Sequence, residues 1–280
     1  MRDPRVYQIS ILSGLLAYGV VGLGFEVDGV DAAAILGTAL AAQLVATRLV
    51  GLPRFDPKSA LISSLSLILL LRAASPWLAA AVAAGTIASK FAIRRRGKHV
   101  FNPTNFGLAV AMLASDRVWV SPGQWGSAAF FAFLLAGLGG LVVHRATRSD
   151  VTWAFLGAWG LVLFGRAAWL GDPWTIPLHQ LQSGAFLIFA FLMISDPKTT
   201  PDARSGRVVF AALVALVAGG IQFGLHRPNA LIWALFLCAP AVPWIDRLLP
   251  AHRFSWGNAP SPRRAQAPIH PSNPQLPSAA

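Results

Sequence analysis

Ten apolar stretches recur along the chain, each bounded by a turn or a short cluster of charge. They cover residues 7–25, 31–50, 59–72, 76–93, 103–115, 124–143, 150–170, 177–195, 208–225 and 229–249. A helix that crosses a bilayer needs about 20 apolar residues, or fewer where it is broken or buried among neighbours. The pattern therefore predicts an all-α polytopic membrane protein with about ten transmembrane helices. Composition agrees: 55% of the 280 residues are hydrophobic and 12% charged, against roughly 25% charged in a soluble domain. That leaves too little polar side chain to cover a globular surface in water. The first stretch lacks a small-residue cleavage site and runs into Glu26, Asp28 and Asp31, so it reads as an uncleaved span in an inner or plasma membrane.

The net charge of +12 is topological. With the amino terminus in the cytoplasm, 19 of the 23 basic residues fall on that side. They include Arg48, Arg54, Lys58, the run Arg94–Arg96 with Lys98, and Arg204 with Arg207. Arg72, Arg117 and Arg227 fall outside and Arg166 within a span. This is the segregation that the positive-inside rule demands, and it predicts both termini inside. Basic residues scattered in short clusters between apolar blocks do not suit nucleic-acid binding. Trp77, Trp119, Trp125, Trp169 and Trp174 lie at the expected outer boundaries, where an amphipathic indole is favoured.

Residues 1–250 form the expected transmembrane domain. Residues 251–280, rich in Pro, Ser, Ala and Gln, read as a disordered cytoplasmic tail. The single cysteine, Cys238, lies in an apolar segment, which excludes an internal disulfide or a cysteine metal cluster. The six histidines are scattered without helical ligand spacing, so no metal site is expected. No nucleophile with a partner base, paired acid and base, or phosphate-cradling glycine loop is visible, and no catalytic residue is assigned.

Ten spans divide into two sets of five, about 1–117 and 118–250, and an odd number per half makes the halves opposite in orientation. The third spans share a polar start and a proline ending, SALISSLSLILLLRAASP beside HQLQSGAFLIFAFLMISDP. The fifth spans open on Asn102-Pro103-Thr104-Asn105 and on Arg227-Pro228-Asn229. Proline costs nothing at the first helical position, and Asn102 before it suits an N-cap. Short segments in corresponding places of two halves point to a midplane site, where a helix amino terminus suits a carboxylate, a phosphate or an electron-rich ring edge. Alternatively, both are ordinary short helices packed on longer ones.

His179, Gln180, Gln182 and Ser183 form the densest uncharged polar cluster within any span. They either bond one another and the backbone or line a cavity. Lys90 either snorkels to the interface or faces a phosphate or an acidic ion site, with Gln222 as the polar residue in the matching span. Arg166 reads as snorkelling. Asp56 and Asp196, each followed by Pro and Lys, read as turn formers, with Asp196 alternatively a carboxylate that coordinates a translocated ion.

The ordered set Phe101-Asn102-Pro103-Thr104-Asn105-Phe106-Gly107, the serine-rich third span with Ser59, Ser63, Ser64 and Ser66, and SGAFLIFAFLMISDPKTTPDARSGR resembles the NqrB and RnfD membrane family. Arg227-Pro228-Asn229 and Pro243-Trp244-Ile245-Asp246 resemble that family's final helix. The resemblance covers roughly residues 55–250. It implies ten helices in two inverted five-helix repeats, a multi-pass protein of the bacterial inner membrane, and a subunit of an electron-transport complex that couples electron transfer to ion translocation. It also implies flavin. The family's redox-active members carry Ser-Gly-Ala-Thr, whose threonine holds flavin mononucleotide (FMN) covalently. Here Ser183-Gly184-Ala185 is followed by Phe186, so the expectation is non-covalent FMN or riboflavin in a short, stand-alone member.

The expected cofactor-binding residues are Ser63, Ser66, Asn102, Asn105, His179, Gln182, Ser183 and Asn229. The chain is at most an electron-carrying subunit, with other redox subunits or a soluble reductase as partners. Two other functions use the same fold: a secondary transporter of a small flavin-like molecule, or a membrane scaffold for a biosynthetic redox partner docked on its basic loops.

Overall fold

The structure is a computed structural model that describes residues 3–121, 140 and 148–254. The sixth expected span apart from Gly140, with its Trp125, and the tail from residue 255 lie outside the described residues.

The chain begins with α1 (Pro4–Gly22) and α2 (Gly29–Leu49), capped by Asp3 and Asp28, whose carboxylates accept from the amides of Arg5 at 3.0 Å and Val30 at 2.7 Å. Each helix ends near a glycine in the left-handed region, Gly24 and Gly51. The turn Asp56-Pro57-Lys58 then opens α3 (Lys58–Leu70), with Asp56 Oδ1 accepting from the Lys58 amide at 3.1 Å. After it come strand β1 (Leu71–Ala73) and α4 (Pro76–Ala92), which starts with Ser75 as cap and proline at its first position. A tight hairpin, β2 (Arg94–Arg95) and β3 (Lys98–His99), turns on Arg96 and Gly97, both at positive φ. Asn102 caps α5 (Pro103–Ala114), its Oδ1 accepting from the Asn105 amide at 3.0 Å. Strand β4 (Val118–Val120) follows and pairs antiparallel with β1, Arg72 opposite Trp119.

In the second half, α6 (Ser149–Leu170) closes on Gly171 in the left-handed region. Two short helices, α7 (Thr175–Leu181) and α8 (Gly184–Ile188), follow, and α8 widens into a π-helical turn over Phe189–Met193. Then come α9 (Arg204–Gly219), which widens likewise over Gly220–Gly224, and α10 (Ala230–Cys238). A 3₁₀ turn, Ala239–Ala241, leads into α11 (Val242–Leu248).

Among the described residues four continuous helices are long and apolar enough to cross a membrane: Gly29–Leu49, Ser149–Leu170, Arg204–Gly224 and Ala230–Leu248. A fifth is counted if α7 and the α8 segment, bent by 53°, form one span. This is a coarser result than ten spans. At 13 and 12 residues, α3 and α5 are only roughly 20 Å long, short of the about 30 Å hydrocarbon thickness. Their carboxyl ends run instead into β1 and β4, and the pairing of those strands satisfies main-chain groups that a helix would have satisfied itself.

The most buried elements are α3, the first turns of α5 and the π turn at Phe189–Met193, every residue of which is buried. A π turn frees carbonyl oxygens, and here three side chains take them. Thr152 donates to Ala190 O at 3.0 Å, Ser195 to Phe191 O and Asn102 to Met193 O at 3.3 Å. Glycine allows two of the closest helix contacts. A Cβ on Gly107 would lie 1.8 Å from Thr86 Oγ1 between α5 and α4, and one on Gly219 2.9 Å from Val162 between α9 and α6.

The basic loops gather on one side and are tied there by ion pairs. Lys98 bridges Asp202 at 3.0 Å and Asp246 at 2.9 Å, with all three side chains largely buried. Arg207 grips both carboxylate oxygens of Asp150 at 2.9 Å, and Arg5 meets Asp56 at 2.7 Å. The β1–β4 pair, with Trp119 half-exposed, lies on the opposite side.

Candidate functional site

A cavity of about 230 Å³ opens where α7 breaks from α8, near the β1–β4 pair. Trp159, Phe186 and Phe189 supply aromatic walls, and Gln180, Ser183, Gln222 and Asn229 supply polar groups. Leu70, Val120, Met193 and Ile232 are among its aliphatic lining. No ionisable side chain lines it among the described residues. Both π turns reach it, through Phe189 and Met193 from one and Gln222 from the other. Widened turns of this kind recur at functional sites because they aim side chains out of helical register.

The aromatic wall is preorganised. Trp159 stacks nearly parallel on Phe155, with 6.5 Å between centroids, and on Phe223, also at 6.5 Å. At the rim, Gln222 donates through Nε2 to Gln180 Oε1 at 3.2 Å. Asn229 adopts the left-handed conformation, φ 58°, which asparagine tolerates better than most residues. It donates to Met112 Sδ at 3.6 Å, leaving its carbonyl oxygen as an acceptor.

Of the residues expected at the site, Ser183 and Asn229 line this cavity together. Gln182 is half-buried at the end of α7 and His179 is exposed on it. Ser63 and Ser66 are buried along α3, away from the cavity. Asn102 is occupied structurally: besides capping α5 and binding Met193 O, it donates to the Asp196 carboxylate at 3.4 Å. A protein carboxylate thus stands at the helix end that the sequence pattern offers to an anionic ligand. Asn105 donates to Ile232 O at 3.2 Å, and its own Oδ1 is buried without a partner among the described residues.

Gln180 belongs to the polar cluster noted in the sequence, whereas Gln222 stands out there only as a counterpart to Lys90. Their convergence needs the chain break and the π turn, which spacing does not reveal. Trp159 and Phe189 carry no sequence signal beyond hydrophobicity.

Lys90 does not snorkel to the interface. It is 5% exposed and donates to Gln43 Oε1 at 2.5 Å and Ser59 Oγ at 2.6 Å, tying α4 to α2 and α3. Arg166 pairs with Asp172 at 3.2 Å and lies over the Phe223 ring at 4.5 Å. Asp196 makes the expected turn, its Oδ1 accepting from the Lys198 amide at 2.9 Å and its main-chain oxygen from Thr199 and Thr200.

The loops on the basic side have shifted acidities. Burial raises the Asp196 carboxyl above the usual range, against the pull of Lys198 and Arg148. Burial, with Arg94 and Lys90 nearby, pushes the His99 imidazole down to about 4. Burial alone would raise Asp3, but hydrogen bonds from Arg5 and Lys58 outweigh it and hold the carboxyl at about 2. Among the described residues no group of three or more His, Cys, Asp or Glu side chains is placed to hold a metal. A second cavity, about 440 Å³, is lined by Glu26, Asp28, Asp31 and Arg72 beside Trp119, and includes none of the expected site residues.

The chain is similar to proteins named as the D component of an ion-translocating oxidoreductase complex. It is 35% identical over 121 residues to that of Alcanivorax borkumensis, 41% of this chain and 33% of the relative. It is 37% identical over 117 residues to that of Mannheimia succiniciproducens, 41% and 32% of the two chains. With the Escherichia coli protein it shares 34% over 125 residues, 44% and 34%. The chain thus matches about a third of the length of these curated relatives. The sequence model of one family matches residues 115–255, half of the chain and centred on the elements that build the cavity, and by that match the chain belongs to the NQR2, RnfD, RnfE family.

Proposed function

We propose that the chain is the membrane subunit of an Rnf- or Nqr-like complex that carries electrons across or along the membrane, coupled to ion translocation. The observation that carries the reading is an uncharged, aromatic-walled cavity at a broken helix within the segment that matches the family. The occupant is a non-covalently held flavin, which would supply one- and two-electron transfer. Trp159, Phe186 and Phe189 would bound its ring system, while Gln180, Ser183, Gln222 and Asn229 meet its polar edge.

The volume is below the ~300–1,000 Å³ of pockets that engulf drug-sized ligands, so it suits a ring head rather than a whole nucleotide. With no basic residue in the lining among the described residues, riboflavin fits better than FMN, whose phosphate would find no partner among them.

The architecture belonging to this reading is ten helices in two inverted five-helix halves. Recurrent contacts support it. α2 lies against α4 as α6 does against α9, α4 against α5 as α9 against α10, and α5 and α10 lie against each other. The segregation of basic loops supports an inner-membrane orientation with both ends of the helical domain in the cytoplasm. Other redox subunits of the complex, or a soluble reductase, are the partners.

The test is the visible spectrum of protein purified in mild detergent from flavin-replete cells. A flavin band bleached by dithionite, with the pigment released as riboflavin on denaturation, is expected. A colourless preparation that takes up no added flavin would overturn the reading.

A further inference from the structure

We infer that Gln180 and Gln222 act as one recognition unit that makes the cavity selective for a ring bearing a donor beside an acceptor, such as the imide edge of a flavin, over a ring with acceptors only, such as a quinone. The inference rests on the flavin reading above and concerns what the cavity prefers.

The two glutamines come from separate elements, Gln180 from the last turn of α7 and Gln222 from the π turn that follows α9. Both are half-buried and both line the cavity. Their mutual hydrogen bond, Gln222 Nε2 to Gln180 Oε1 at 3.2 Å, engages one NH₂ and one carbonyl. The NH₂ of Gln180 and the carbonyl of Gln222 have no other side-chain or main-chain partner among the described residues. Exchanging the donor and acceptor roles of the two amides would still leave one NH₂ and one carbonyl uncommitted, so the pair offers the cavity a donor and an acceptor in either assignment.

A ligand with an N–H next to a C=O satisfies both at once. A quinone satisfies only the donor and strands an acceptor in a half-buried wall, and sites built on such hydrogen bonds discriminate strongly against ligands that leave one unmade. Among the described residues the lining holds no charge that could compensate.

The test uses the full chain in detergent, stripped of endogenous pigment and titrated with riboflavin and, by competition, with menadione. Fluorescence quenching of riboflavin is the readout. Wild type should bind riboflavin about tenfold more tightly than menadione. The double variant Gln180→Leu/Gln222→Leu, which removes donor and acceptor together, should weaken riboflavin binding about tenfold and menadione, which loses only its bond to the donor, clearly less, so that the preference narrows. Where leucine gives aggregated protein, Gln→Met, closer in shape, gives the same readout. Unchanged preference in these variants, with Ser183→Ala or Asn229→Leu still weakening riboflavin, overturns the role of the pair and leaves the flavin reading standing. Equal affinity of wild type for the two ligands overturns the selectivity. Failure of wild type to bind riboflavin at all removes the flavin reading and this inference with it.

Discussion

The side-chain amide of Asn105, 1% exposed in the first turn of α5, donates to the main-chain oxygen of Ile232 in the first turn of α10 at 3.2 Å. Together with Asn229 against Met112 and Phe101 stacked on Phe236 at 5.1 Å, it sets the two short helices side by side along their lengths. Because the surroundings are dry, the donor has no water to fall back on. Asn105→Ala should cost about 1–3 kcal/mol of stability in detergent, and Asn105→Asp more, since it places an acceptor against a carbonyl oxygen. Thermal unfolding of the three proteins checks the order, and an unshifted midpoint for alanine would show that the bond contributes nothing.

Gly107 should tolerate no side chain. An added Cβ would stand 1.8 Å from Thr86 Oγ1, so Gly107→Ala must push α5 from α4, at a cost of about 1–3 kcal/mol. The Thr86 hydroxyl has no partner among the described residues, so Thr86→Ala alone should be nearly neutral. It should also recover part of the loss in the double variant. Strict additivity of the two changes would place the strain elsewhere.

What the sequence revealed well was chemistry that acts within a few residues. Asp56-Pro57-Lys58 and Asn102-Pro103 mark a turn and a helix start as read, because a cap or an Asx turn is satisfied by neighbours in the chain. Strand β1 looks like a helix end in the sequence and β4 like part of a loop between spans, since three residues are too few to show alternation. The π turns have no composition of their own. The one at Phe189–Met193 is held because Thr152, Asn102 and Ser195 reach its freed carbonyls, two of them from distant elements. The cavity inherits this limit. Ser183 and Asn229 are legible as polar residues at helix breaks, whereas the pairing of Gln180 with Gln222 depends on how those breaks turn in space.

His99 predicts a pH dependence with a definite sign. Its imidazole titrates near 4 in the fold against an ordinary 6.5, so below 6.5 the unfolded chain takes up a proton that the native hairpin refuses. Stability should therefore fall as pH drops from 6.5 to about 4 and change little above that window. Asp196, with its carboxyl raised, acts in the opposite sense near its own range. The informative quantity is thus the difference between wild type and His99→Asn, measured by unfolding at pH 7.5, 6 and 5. A gap that does not narrow or widen across that series would mean that the imidazole is free to protonate in place.

Lys98 should matter more than either of its partners. It neutralises Asp202 and Asp246 together in a largely buried site. Lys98→Met leaves two carboxylates facing each other and should cost about 3–5 kcal/mol. Asp246→Asn retains one counter-ion, and its side-chain oxygen can still accept from the Asp202 amide, a bond of 2.8 Å in the native protein. Limited proteolysis at the 94–99 hairpin ranks the two. Greater sensitivity in Asp246→Asn than in Lys98→Met would reverse the assignment.

The ion-paired loops make the orientation testable without any cofactor. The contacts of Lys98 with Asp202 and Asp246, and of Arg253 with the main chain of Arg96, hold the 94–99 hairpin, the loop before α9 and the end of α11 on one side. From there α6 runs 22 residues, at about 1.5 Å each, to Gly171, long enough to traverse the apolar layer. A reporter inserted at Arg96 should therefore read as cytoplasmic and one at Asp172 as external, because the side rich in arginine and lysine is the one retained inside. Cysteine substitutions at the same two positions, labelled in intact cells with an impermeant maleimide, give a second reading: Asp172→Cys should react and Arg96→Cys should not. If both positions report from the same face, α6 does not cross the membrane, and the inverted arrangement of the two halves falls with it.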